Sequence, residues 1–196
     1  LQDKEYLAYV KTEEIKTNIQ YQLSSSELNY LNNNLELSDS FLSKLGEDQT
    51  RNLCIFAQIM NHYQNKKSIL VFACSLNHSS LLNEICNLNN ISSRSIDKDT
   101  SLFNRRKFID EYKNKEIKVL FNYGVLTTGF DAPNTDVVII ARPTRSPVLY
   151  NQMIGRGIRG PKVKGNKECI VVDIQDNIVG MPNERGTFNM FKKYYT

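Results

Sequence analysis

Four apolar runs of strand length, separated by stretches with helical spacing, constrain this chain more than anything else in it. They are SILVFAC (Ser68 to Cys74), IKVLFNY (Ile117 to Tyr123), TDVVIIAR (Thr135 to Arg142) and ECIVVDI (Glu168 to Ile174). A continuous apolar run suits a strand buried on both faces, since a half-exposed strand would alternate. Helices are expected over DQTRNLCIFAQIMNHYQ, with Leu53, Phe56, Ala57 and Met60 on one face, and over SLNHSSLLNEICNLNN, which has a serine to cap it. Two more are expected over Ser101 to Asn114 and about Pro147 to Ile158, with a short strand at Ile91 to Ile96. Strands alternating with helices of this length predict βαβ units: an α/β fold with a mostly parallel sheet, right-handed crossovers and helices on both faces.

Residues 1–47 differ in composition. They are rich in Asn, Ser, Leu and Glu, contain no Pro, and have a single glycine, Gly46. Their apolar positions fit short helices with Ser and Asp as caps. The chain therefore divides into a helical arm or connector (1–47), the α/β domain (48–180) and a C-terminal tail or helix (181–196). The absence of a starting Met suggests a piece of a longer protein.

The net charge of +4 permits a nucleic-acid partner without demanding one. Local charge says more: Arg142, Arg145, Arg156, Arg159, Lys162, Lys164 and Lys167 follow one another with no acid between them. The four cysteines form no C-x-x-C pair and have only His62 and His78 as co-ligands. Neither a metal site nor a disulfide framework is expected; free thiols and a cytoplasmic location are. No window approaches the ~18 apolar residues of a membrane span, and the N-terminus has no signal-peptide pattern.

In open parallel sheets, ligands sit at the carboxyl ends of the strands. Three unusual segments fall there: ACSLNH, GVLTTGFDAP and RPTRSP. GVLTTGFDAP can present hydroxyls and bare backbone N–H groups to an anion, although Thr, Gly, Asp and Pro also make ordinary turns. YNQMIGRGIRG places Gln152, Arg156 and Arg159 at i, i+4 and i+7, a single face if the segment is helical. Paired arginines suit phosphate oxygens, whereas most charge runs are solvated faces. Three glycines at roughly 1 kcal/mol each argue against a merely solvated helix.

On these residues the chain resembles the second RecA-like domain of superfamily 2 helicases and translocases. SILVFACS resembles motif IV, VLFNYGVLTTGFDAP motif V, and YNQMIGRGIRG motif VI, all in the family's order. ARPTRSPVLYNQMIGRGIRG is nearest the branch of type I and III restriction-enzyme motor subunits and excision-repair helicases. The resemblance implies a RecA-like three-layer sandwich acting on DNA more than RNA. It implies that Arg159 is an arginine finger for the γ-phosphate of ATP, with Arg156 in the same phosphate region and Gln152 positioning water or phosphate. Gly129 and Asp131 would couple nucleotide to nucleic acid, and Ser75, Thr127 and Thr128 would touch the sugar-phosphate backbone.

No G-x-x-x-x-G-K-[ST] occurs, and the one Asp-Glu dipeptide, Asp110-Glu111, lies inside an expected helix. ATP and Mg²⁺ are thus expected to be held mainly by a first RecA-like domain absent from this sequence, leaving half an active site here. Expected partners are that domain, DNA and a nuclease or methylase subunit. A non-catalytic nucleic-acid-binding or scaffold domain with the motor fold is the alternative. A third is an unrelated doubly wound enzyme such as a glycosyltransferase domain.

Overall fold

The computed structural model describes residue 2 and residues 4–34, 36–125 and 134–181. The expected tail, from residue 182 onward, lies outside the described residues. Strands β1 (Tyr9–Gln22), β2 (Ile69–Phe72), β3 (Ser93–Ile96), β4 (Val119–Asn122), β5 (Val137–Ile140) and β6 (Glu168–Val179) form one sheet. Its order is β1-β6-β5-β2-β4-β3, and every neighbouring pair is parallel. The three central strands β2, β4 and β5 are buried at all four positions, which is why they read as unbroken apolar runs.

Helices α1 (Ser25–Asn34), α2 (Asp39–Glu47), α3 (Gln49–Gln64), α4 (Leu76–Leu88), α5 (Leu102–Lys113) and α6 (Pro147–Gly155) connect the strands. The side chains of Ser38, Asp48, Ser75, Ser101 and Ser146 cap α2 to α6 by accepting from backbone N–H groups of the first turn. One sheet face packs Leu70, Phe72, Leu120, Val138 and Ile140 against Tyr112 of α5 and Met153 and Ile154 of α6. The opposite face packs Val71, Phe121 and Ile139 against Ile55 and Ile59 of α3 and Leu82 and Cys86 of α4. The result is the three-layer α/β sandwich expected of the sequence.

The face of α3 is a correction. Its buried line runs through Asn52, Ile55, Ile59 and His62, while Leu53 is 67% exposed. Phe56 and Met60 flank the buried line. Polar residues displace Leu53 from the interior because Asn52 donates to the Gly46 carbonyl at 2.8 Å, and a buried polar group with a partner costs little.

Short helices form within residues 1–47 as expected, but a 14-residue strand, β1, stands ahead of them and was not expected. It pairs with β6 at the sheet edge, so its outward positions stay polar. Its alternation is broken by a register shift between Lys16 and Gln20, with Asn18 left-handed at φ 58°. Ahead of it, Val10 and Ile15 stand an odd number of residues apart and reach the two opposite cores by ordinary alternation. Beyond it, Tyr21, Leu31, Phe41, Leu42 and Leu45 form a third apolar cluster with Cys74 and Ile178.

Candidate functional site

The strand order creates the site. From β2 the chain runs through α4 toward β3, and from neighbouring β5 it runs through α6 toward β6. The loops leaving these adjacent strands diverge and open a crevice at their carboxyl ends, as the switch-point rule requires. A cavity of about 160 Å³ occupies it. Phe72 and Ala73 line it from the end of β2, Asn122, Tyr123 and Gly124 from the end of β4, Arg142 from the end of β5, and Leu149, Gln152 and Met153 from α6.

Local chemistry holds the rim. Ser146 accepts from Leu149 N at 3.2 Å and Pro147 occupies the first turn, so α6 starts sharply beside the β5 loop. Thr144 accepts from Ser146 N at 3.0 Å and donates to a carboxylate oxygen of Glu36. The other Glu36 oxygen lies 3.7 Å from Arg142 Nη2. Arg142 sits 6.0 Å from the centre of the Tyr123 ring. Asn122 is 2% exposed, and its Nδ2 has no hydrogen-bond partner among the described residues. A buried amide donor lining the same cavity as a guanidinium fits an acceptor-rich ligand such as a phosphate. Among the described residues no group of three or more His, Cys, Asp or Glu side chains could hold a metal ion.

The residues singled out by sequence are distributed unevenly around this crevice. Gln152 is exposed on α6 and lines the cavity. Arg156 caps the helix C-terminus, its N–H reaching the Met153 carbonyl at 3.4 Å. Arg159 lies beyond the helix, in an isolated antiparallel bridge with Leu7. The single helical face expected for Gln152, Arg156 and Arg159 therefore does not form, because α6 stops at Gly155. Just past the helix, the Gly157 backbone lies directly on the sheet: a Cβ there would sit 2.2 Å from Val138 Cγ2. Ser75 is buried, and its hydroxyl accepts from His78 N at 3.1 Å as the cap of α4. Thr127, Thr128, Gly129 and Asp131 lie outside the described residues.

His78 is structural. Its Nδ1 accepts from Cys74 N at 3.1 Å, and burial, aided by the Arg51 charge, lowers its pKa to about 3. Burial also raises the Cys74 thiol above its usual range. The four cysteines are free. Asp173, in register with Ile140, is pushed up to about 7 by burial, with Glu14 and Asp176 adding to the shift. Sequence reasoning missed Asn122, Tyr123 and Arg142 as site residues. The signal was present: each is one of the last two residues of a predicted strand, where the carboxyl-end rule applies to single residues as well as to loops.

Comparison with known proteins follows the same geometry. A family model described as "Helicase conserved C-terminal domain" matches residues 51–160. The chain is 35% identical over 134 residues to "Putative ATP-dependent helicase IRC3" of Saccharomyces cerevisiae, covering 67% of this chain and 19% of that protein. It is 36% identical over 122 residues to "Putative mitochondrial ATP-dependent helicase irc3" of Schizosaccharomyces pombe, covering 61% of this chain and 19% of that protein. The chain thus spans about a fifth of the length of these relatives. Among solved structures, a DEAD box protein from Methanococcus jannaschii shares its fold with a TM-score of 0.55 at 22% identity, over 71% of this chain and 36% of that one. The Pyrococcus furiosus Hef helicase domain does so at 0.53 and 19%, over 76% and 30%.

Proposed function

We propose, for a chain that belongs to the helicase conserved C-terminal domain family, that it is the second motor domain of an ATP-dependent DNA helicase or translocase. The observation carrying this reading is the crevice between β2 and β5, where Gln152 and Arg142 line one cavity and the acid-free basic segment follows. Phosphoryl transfer spreads charge over equatorial oxygens, and catalysis of it is chiefly positioning and electrostatic stabilisation. Arg159 and Arg156 supply that positive charge in this reading, and Gln152 orients water or a phosphate oxygen. Ser75, Thr127 and Thr128 grip the sugar-phosphate backbone, and Gly129 and Asp131 link that grip to the nucleotide. ATP and Mg²⁺ are held mainly by a first RecA-like domain, so the isolated 196 residues bind nucleotide weakly and turn over none.

The relatives' names support ATP use, and the form of the segment before the arginines favours DNA over RNA. The test is Arg159→Ala in the full-length protein. DNA-stimulated ATPase falls about 10³-fold or more, the lower end for an arginine finger, while binding of a non-hydrolysable ATP analogue is retained. Undiminished turnover in that variant rejects the assignment.

A further inference from the structure

The segment carrying Arg159 is held by the first residues of the chain. Ala8 N donates to the Ile158 carbonyl at 2.9 Å, and Gly160 N donates to the Tyr6 carbonyl at 3.0 Å. These bonds bracket Leu7 and Arg159 as an antiparallel pair. Such a pair brings Cα atoms to about 4.5 Å. Lys162 N adds a bond to the Glu5 carbonyl at 3.1 Å, and the Lys162 ammonium stands 5.3 Å from the centre of the Tyr6 ring. Gly160 makes the approach possible: a Cβ there would lie 2.3 Å from the Glu5 oxygen and 2.8 Å from Leu7 N.

This contact is anchored at one end and turned at the other. Ala8 is fully buried, Leu7 packs against the apolar cluster under α6, and β1 begins at the next residue. At the other end Glu5 adopts φ 59° and donates to the Gln2 carbonyl at 2.7 Å. The path of the chain entering at Glu5 and the place of Arg159 are therefore set by the same hydrogen bonds.

We propose that residues 5–8 are a positioning strap that ties the arginine finger to the direction in which the chain enters the domain. The inference rests on the reading of Arg159 given above. In a two-domain motor whose first domain precedes this segment, cleft closure moves the incoming chain. The strap passes that movement to the Leu7–Arg159 pair, so the arginine is seated as the cleft shuts. Leu7 acts here as a positioning residue.

The test is made in the full-length protein with Leu7→Gly, Leu7→Val and Arg159→Ala, alone and combined. Leu7→Gly lowers kcat for DNA-stimulated ATP hydrolysis by about 10²-fold, the scale of a small misplacement of a reacting group. Its KM for ATP stays within about twofold, since ground-state binding is untouched. Leu7→Val, which keeps an apolar anchor and favours extended backbone, restores kcat. In the Arg159→Ala background Leu7→Gly has no further effect. Wild-type kcat in Leu7→Gly, or an equal loss with and without Arg159, overturns the strap while leaving the finger assignment intact. Full activity of Arg159→Ala overturns both.

Discussion

Asp176 receives Arg51 Nε at 2.8 Å and Arg51 Nη2 at 2.9 Å with both side chains entirely out of solvent. Arg51 also donates to the Ala141 carbonyl, the residue before Arg142, and Thr17 Oγ1 donates to Asp176 at 3.3 Å. One ion pair thus ties the first turn of α3 to β6, to the edge strand β1 and to the rim of the cavity. Removing one partner leaves a buried charge uncompensated. Asp176→Ala therefore loses about 3–5 kcal/mol in urea unfolding. The double variant Arg51→Met, Asp176→Leu is more stable than either single change, because it removes both charges. Additive losses would contradict this account.

The glycines of YNQMIGRGIRG separate by what lies next to them. A Cβ on Gly157 meets Val138 Cγ2 at 2.2 Å and Thr135 Cγ2 at 3.2 Å, whereas one on Gly155 meets nothing within 4 Å among the described residues. Gly157→Ala destabilises the chain by about 1–3 kcal/mol through overpacking. Gly155→Ala leaves stability unchanged or raises it by up to about 1 kcal/mol, the helix-propensity difference. Thermal melts of the two variants compared with the parent chain decide the matter; similar losses in both would refute the packing explanation.

His78 makes stability depend on acid. Its pKa falls from 6.5 in an unfolded chain to about 3 in the fold, because burial and the Arg51 charge oppose protonation. Below 6.5 the unfolded chain takes up a proton that the folded chain refuses until about 3. Stability is therefore full above that window and is lost as pH falls through it, with a slope approaching about 1.4 kcal/mol per pH unit. His78→Asn keeps an acceptor for Cys74 N and removes the titration. Urea midpoints measured between pH 7 and 5 fall for the parent chain and fall less for the variant. Parallel pH profiles would exclude His78 as the source.

Much of the fold was legible because burial on both faces leaves a plain mark. SILVFAC, IKVLFNY and TDVVIIAR read as strands since β2, β4 and β5 expose nothing. The serine before α4 read as a cap since a cap bonds within its own first turn. The edge strand β1 was not legible, because its outward residues are polar and its register shift breaks the alternation. Nor was the buried line of α3, where Arg51 and Asn52 are interior through partners 125 and 6 residues away.

The parallel α/β class, the family and the edge of the sheet at which Gln152 stands could all be read from the residues in line. These depend on local periodicity and short-range spacing, which a chain carries without its contacts. Only the tertiary structure decided what the glycines beside Arg156 and Arg159 are for. Gly157 gives way to Val138 and Gly160 to Glu5 and Leu7, so both clearances serve the domain's own packing, whereas Gly155 meets no described residue. Close approach between residues on different elements of the fold has no periodic signature. It follows from how the sheet brings β1, β5 and the α6 segment together.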